Sequence, residues 1–374
     1  MRKGHSSGRS EFRRLSHLFE LGGGFLAANL RRPRAVLERR PDSMCIFVTY
    51  RCNMRCRMCG IWTQEERGAA NELSGEEFGR VLSDPLFSEL KTININGGEP
   101  NLRTDLVDLA ALFVEKFPRL KAVSLNSNGL PAQACARNVG RMAELFHRHN
   151  VRFSVSISLH RVGPEFDGIA GIPDAYSKVK ESLNGLKAAN RDGGFYLGVN
   201  CVITPLNIRS LAEMLEWGER EKIPVNFTLG EVRDRFSNVG LASDVQIPEE
   251  ETKALIDFLR TLGRKKRAYL QHALRYDHLA DMAERGAKRA LACHYAMGGV
   301  ILGSDGLLYY CKSSRSIGDA RVRSAEEIYF DEENIRYRRD ELFRTLCPVC
   351  PPNTYNLAEV KKDLLKILGY LAWG

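Results

Sequence analysis

The stretch Cys52-Asn53-Met54-Arg55-Cys56-Arg57-Met58-Cys59 follows directly on the apolar run from Met44 to Tyr50. Three thiols at offsets of four and three residues can meet one inorganic centre only if the backbone wraps around it as a loop. A four-iron, four-sulfur cube needs a ligand on each iron, and three cysteines leave one iron open. An open iron can take a substrate or cosubstrate, whereas a structural zinc site is normally closed by four ligands. The spacing reads as a working centre at the end of a strand.

Outward from that loop, short β-type runs alternate with helical patterns, the signature of βαβ units and a parallel sheet. Strands are expected at residues 44–50, 91–96, 122–126, 152–158, 196–203 and 225–229. In the fourth, Phe153, Val155 and Ile157 alternate with Ser154, Ser156 and Ser158, so one face is apolar and the other polar. Helices are expected near 74–83, 104–116, 132–149, 174–190 and 208–221, the first opened by a capping box of Ser74 with Glu77. Six βα repeats predict an α/β fold, a partial (β/α)6 TIM-like barrel with function at the C-terminal strand ends. Further helices are expected at 249–262 and on to about 290, around the basic run Arg264-Lys265-Lys266-Arg267.

The chain of 374 residues is 44% hydrophobic, ordinary for a globular protein of one large and one smaller domain. No apolar run approaches the roughly 20 residues needed to span a bilayer, and no signal peptide is recognisable, so a cytoplasmic location is expected. Ten cysteines fit a metal protein in a reducing compartment better than a disulfide framework. Net charge is +9, and residues 1–42 alone carry ten Lys/Arg against four acids. Such a basic leader suits phosphates or an anionic membrane surface. No RNA-binding module or stacking platform is recognisable, so nucleic acid is not an expected partner.

A second constellation is C-terminal. Runs at 299–302 and 307–311 flank Ser304-Asp305-Gly306, a hairpin signal, and a polar helix is expected over 324–345. Cys293 and Cys311, with Cys347 and Cys350, supply four thiolates that would close a zinc site as readily as a cluster. The chain ends in an amphipathic stripe, Leu357, Val360, Leu364, Leu368 and Leu371, suited to packing on the body or to a peripheral membrane contact. The expected organisation is a basic leader (1–43), the partial barrel (44–235), a helical linker (236–290) and a small hairpin-and-helix cluster-binding domain (291–374).

The cysteine triplet, with Gly97-Gly98-Glu99-Pro100 about 40 residues later at the end of the second strand, resembles the radical S-adenosylmethionine (radical SAM) superfamily. The resemblance implies that Cys52, Cys56 and Cys59 hold a [4Fe–4S] cluster whose open iron chelates SAM, while Gly97, Gly98, Glu99 and Pro100 hold its methionine amino group. Glycines let the main chain approach a ligand closely, and a carboxylate accepts from an ammonium. Ser127 and Asn128 match the family's turn after the third strand, and Ser156 and Ser158 match its ribose or carboxylate contacts. Asn200, Thr204 and Asn207 at the fifth strand are candidate cosubstrate contacts. His160 stands where the family commonly has an acid, and is a candidate proton donor or substrate ligand. Met58 replaces a common aromatic.

Beside such a core, Cys293, Cys311, Cys347 and Cys350 resemble the Twitch domain, a shortened SPASM domain carrying one auxiliary [4Fe–4S] cluster. The implied chemistry is reductive cleavage of SAM to a 5′-deoxyadenosyl radical that abstracts hydrogen, with electrons from a donor such as flavodoxin or ferredoxin. A fully ligated auxiliary cluster would serve electron transfer, for oxidation or for epimerisation. The 43 residues before the first strand are too few for a peptide-recognition domain, which favours a small-molecule substrate: a sugar, an aminocyclitol, or a phosphorylated or lipid-linked intermediate. Maturation of ribosomal peptides is the alternative, and a non-catalytic zinc- or cluster-binding interaction protein is the alternative of another class.

Overall fold

A computed structural model describes residues 37–64, 71–190, 193–266, 270–289 and 293–353. The basic leader up to residue 36, Arg267 and the C-terminal stripe lie outside them. Two compact units are present, one comprising Arg40–Glu251 with Gly298–Arg338, the other including Thr252–Met297 and the segment from Arg339.

The first unit is built on one sheet. Its strands are β1 (Ser43–Phe47), β2 (Thr92–Asn96), β3 (Ala122–Ser127), β4 (Arg152–Ser158), β5 (Tyr196–Ile203) and β6 (Val225–Leu229). They pair in parallel and in sequence order, with crossover helices α1 (Gly75–Leu82), α2 (Leu106–Lys116), α3 (Ala132–Arg148), α4 (Glu165–Ala170), α5 (Ala175–Ala189) and α6 (Leu211–Glu221). The expected capping box opens α1: Ser74 accepts from the Glu77 N–H at 3.2 Å, and Glu77 accepts from the Ser74 N–H at 2.8 Å. The helix α4 was not expected from the sequence.

Alternation divides the sheet into two chemistries. Ile93, Ile95, Val123, Leu125, Phe153, Val155 and Ile157 are buried on the helix-covered face, and the Phe146 ring of α3 meets Phe153 at 5.1 Å. Each such side chain, taken from water, contributes about 1.5–3 kcal/mol. On the inner face, Asn94 and Asn96 pair in register with β1, and Asn94 with Ser124 and Asn126 with Ser156 on later strands. Asn126 Nδ2 donates to Asn94 Oδ1 at 3.0 Å and to Asn96 Oδ1 at 2.8 Å. The concave face is thus lined by neutral amides and hydroxyls.

The sheet does not close. It continues past β1 through β7 (Gly299–Leu302), β8 (Leu307–Tyr309) and β9 (Gly318–Asp319), in the order β6-β5-β4-β3-β2-β1-β7-β8-β9. The expected hairpin is present, with Ile301 opposite Tyr309. Its first strand also pairs in parallel with β1, so these strands extend the barrel sheet. Without β7, β1 would present an unpaired edge. The polar helix expected over 324–345 is broken into Ala325–Tyr329, Glu332–Tyr337 and a π-helical stretch from Arg338 to Leu346. Asp331 restarts it by accepting from the Glu333 N–H at 3.0 Å.

In the second unit, α7 (Thr252–Lys265) packs on α8 (Leu270–Arg285). Arg260 joins them by ion pairs to Asp281 at 2.7 Å and Glu284 at 2.8 Å. The exposed Arg264 and Lys265 belong to the last turn of α7, where they complement the helix dipole. No helix of the described residues is long and apolar enough to cross a membrane.

Candidate functional site

Parallel pairing of β1 with β2 brings the cysteine loop and the Gly97–Pro100 turn to the same end of the sheet. The strand proper ends at Phe47, and the chain goes on pairing without regular geometry. Val48 N–H donates to Asn96 O at 2.9 Å, Gly98 N–H to Thr49 O and Glu99 N–H to Arg51 O, both at 2.8 Å. A Cβ on Gly98 would overlap the Arg51 carbonyl. That glycine is therefore needed for the approach of one loop to the other, before any ligand is considered.

Two further segments hold the loop. Arg55 N–H donates to Ala170 O at 2.9 Å and Arg57 N–H to Ile169 O at 3.0 Å. Both acceptors are end carbonyls of α4, which lack partners within the helix. Gly171 caps α4 with φ of +69°, and a Cβ there would overlap the Arg55 carbonyl. Beyond β6, Phe236 O accepts from the Gly60 N–H at 2.9 Å, and Asn238 Nδ2 donates to Met58 O at 3.1 Å. Gly60, Gly171 and Asn238 were not singled out from the sequence. The glycine after a short helix is the one local signal that was readable.

The three thiols are free, Cys52 buried and Cys56 and Cys59 half-buried. Burial pushes the Cys52 thiol up to about 11, with Glu99 and Cys59 adding to the rise. Cys56 is also pushed up, by burial first and then by Cys59 and Cys52, and Cys59 by burial. Such thiols repel one another as anions and ionise together only against a cationic centre, which fits an iron cluster. Among the described residues no three His, Cys, Asp or Glu side chains converge on a single-ion site. A cube takes each thiolate on a different iron and needs wider spacing than a mononuclear site.

Glu99 ties this arrangement together. Its Oε1 accepts from Asn101 N–H at 3.0 Å, Asn101 Nδ2 at 2.8 Å and Ser127 Oγ at 2.8 Å, and its Oε2 accepts from Asn128 N–H at 2.6 Å. Burial raises the Glu99 pKa while these donors oppose the rise. Asn128 Nδ2 in turn donates to Asn53 Oδ1 at 2.8 Å and lies 3.8 Å from Cys52 Sγ. The structure thus brings together the cysteines, the Gly97–Pro100 turn, Ser127 and Asn128. It adds Asn53 and Asn101, whose roles depend on partners distant in sequence.

Ser156, Ser158 and Asn200 lie on the inner face at half-buried positions of β4 and β5, with Ser158 opposite Asn200. Thr204, Asn207 and His160 form a separate buried knot. Asn207 Nδ2 donates to His160 O and Val202 O, both at 2.8 Å, and its Oδ1 accepts from the Thr204 N–H at 2.9 Å. His160 Nδ1 accepts from the Val202 N–H at 3.2 Å, which fixes the tautomer with the proton on Nε2. Burial lowers its pKa to about 4, so the ring is neutral. This geometry joins the ends of β4 and β5.

The distal cysteines divide between the units. Cys293, Cys347 and Cys350 belong to the second, where Arg289 N–H donates to Pro348 O at 2.7 Å. Cys311 follows β8 in the first. All four are half-buried.

Two outcomes follow. Gly171→Ala is expected to lower the iron bound after anaerobic reconstitution by about half or more, because the cysteine loop must shift. Gly140→Ala, at a site with nothing within 4 Å, should leave it unchanged. The His160 shift makes the unfolded state bind more protons between about pH 6.5 and 4. Stability should be full above pH 6.5 and fall by about 3 kcal/mol as pH drops through that window. Urea unfolding should show a shallower fall in His160→Gln.

A family model described as the radical SAM superfamily matches residues 46–218. A probable GTP 3′,8-cyclase of Methanopyrus kandleri is 30% identical over 190 residues, 49% of this chain and 54% of the relative. An Fe-coproporphyrin III synthase of Methanosarcina barkeri is 31% identical over 200 residues, 51% of this chain and 45% of the relative. The chain thus spans about half the length of these curated relatives. Among solved structures, anSMEcpe with bound AdoMet and a peptide superposes with a TM-score of 0.55 at 17% identity, over 88% of this chain and 96% of that one. Streptococcus suis SuiB bound to S-adenosylmethionine gives 0.55 at 14% identity, over 83% and 72%. The open parallel sheet, the cysteine loop at its C-terminal end and the match over residues 46–218 make that part of the chain a radical SAM domain.

Proposed function

We propose that the chain is a radical SAM enzyme that abstracts a hydrogen atom from a small-molecule substrate held against the inner face of the sheet. The observation that carries this reading is the backbone junction of the Cys52–Cys59 loop with the Gly97–Pro100 turn above a concave wall of neutral amides and hydroxyls. When bound, the cluster and SAM would supply the reductive cleavage that generates a 5′-deoxyadenosyl radical.

The residues of the chain would do the rest. Cys52, Cys56 and Cys59 would hold the cluster. The main chain of Gly97, Gly98 and Pro100 would border the methionine end. Oε1 of Glu99 already takes three donors, so only Oε2, with one, has room for the ammonium. Ser127 and Asn128 orient Glu99, and Ser156, Ser158 and Asn200 would border the cosubstrate. Thr204, Asn207 and His160 would set the strand ends without touching it, so His160 is not the proton donor in this reading.

Cys293, Cys311, Cys347 and Cys350 would hold an auxiliary [4Fe–4S] cluster, exchanging electrons between the substrate radical and an external donor such as flavodoxin or ferredoxin. The net reaction would be oxidation or epimerisation. The likeness to the cyclase and the coproporphyrin synthase supports a small-molecule substrate. Peptide maturation is the second reading, favoured by the likeness to SuiB bound to the precursor peptide SuiA.

Anaerobically reconstituted and chemically reduced, the protein should convert SAM to 5′-deoxyadenosine. Cys52→Ala should lower that rate by about 100-fold or more, because an iron loses its ligand. Iron should be about eight per chain, falling to about four in a Cys347→Ala, Cys350→Ala double variant. A Cys52→Ala variant with full cleavage would remove the active-site assignment, and zinc at the distal cysteines would remove the second cluster.

A further inference from the structure

Arg235 is a buried cation with the Tyr50 hydroxyl as a polar neighbour. It lies in the turn Asp234–Phe236 after β6, beside the cysteine loop through the Gly60–Phe236 hydrogen bond. Its guanidinium carbon stands 4.1 Å from the centre of the Phe47 ring and 4.3 Å from that of Tyr309. Both rings belong to the inner face: Phe47 is in register with Asn96, and Tyr309 with Ile301, which is in register with Cys45. The residue is 9% exposed, yet Nε, Nη1 and Nη2 all lack a hydrogen-bond partner. No carboxylate among the described residues lies within ion-pair distance.

Arg103, another buried arginine of the same unit, is held differently. At 7% exposure it donates to Val48 O at 2.9 Å and Leu73 O at 3.1 Å, and forks onto Asp105 at 2.7 and 2.6 Å. Arg235 has two rings, which offset part of its charge but accept no conventional hydrogen bond, and the Tyr50 hydroxyl beside it. With rings at 4.1 and 4.3 Å from the guanidinium carbon, the N–H edge is what the group offers a ligand. A planar fork of N–H donors approached edge-on matches a carboxylate.

The surroundings favour a single negative charge. Asp305 accepts from the Tyr50 hydroxyl at 3.5 Å and from the Leu307 N–H at 3.3 Å. Asp305 and Arg235 both lie beside Tyr50, so one carboxylate already stands in the neighbourhood of the guanidinium. A monoanion suits it better than a phosphate dianion.

We propose that Arg235 anchors a carboxylate group carried by the substrate, while the Asn94, Asn96 and Asn126 amides take neutral polar groups beside it. The inference rests on the inner face being the substrate's side. SAM also carries a carboxylate, and the test separates the two sources.

The probe is acetate, and the readout is thermal unfolding of the reconstituted protein without SAM. About 100 mM sodium acetate, compared with sodium chloride at equal concentration, should raise the wild-type Tm by about 2 °C or more. Arg235→Met keeps the apolar stem between the rings. It should unfold at or above the wild-type temperature in chloride and lose the acetate shift. Arg235→Lys, which keeps the charge without the fork, should also lose the shift, and serves if the methionine variant does not fold. A wild type indifferent to acetate, with Arg235→Met unfolding about 5 °C or more lower, would make the guanidinium a structural plug. A loss of about tenfold or more in SAM affinity in the variant would assign it to the cosubstrate instead. All of these measurements read binding without turnover, so absence of SAM cleavage would not alter them.

Discussion

The cysteine loop has no regular secondary structure of its own, and its backbone is held by its neighbours. Arg51 O, Arg55 N–H, Arg57 N–H, Met58 O and Gly60 N–H are bonded to the β2 turn, the end of α4 and the segment after β6. Buried peptide groups must find partners, so a loop that cannot supply them internally takes its shape from what surrounds it. The positions of Cys52, Cys56 and Cys59 are in this sense a property of the whole sheet.

The same logic applies to the buried charged side chains near the loop. Glu99 accepts four protein hydrogen bonds, Arg103 donates four, and Arg235 stands against two aromatic rings beside the Tyr50 hydroxyl. The first two rigidify the frame around the thiols. Arg103, satisfied within the protein, is a poor candidate for ligand contact, whereas Glu99 Oε2, with one donor, and the Arg235 nitrogens have capacity left.

Much of this was legible in the sequence where the signal is local. The period-two alternation of β4 marked both the core face and the polar face, and Ser74 with Glu77 marked the start of α1. The cysteine spacing and Gly97–Pro100 marked two segments that the sheet brings to one end. What the sequence did not reveal depends on partners brought in from far along the chain. Pairing of β7 with β1 spans more than two hundred residues and leaves no local pattern. A short polar helix such as α4 has too few turns for its periodicity to stand out, so Gly171 went unremarked. His160 looked available because a histidine at a strand end is ambiguous until its neighbours are known. Val202 and Asn207 supply the neighbours, and burial suppresses its charge.

The central claim is that the loop presents a cluster with one iron open to SAM. Electron paramagnetic resonance of the anaerobically reconstituted, reduced protein tests it most directly. The account predicts that adding SAM shifts the g-values of a [4Fe–4S]+ signal, and that this response disappears in Cys56→Ala. A cluster signal that SAM leaves unchanged, or a response that survives loss of Cys56, would contradict it.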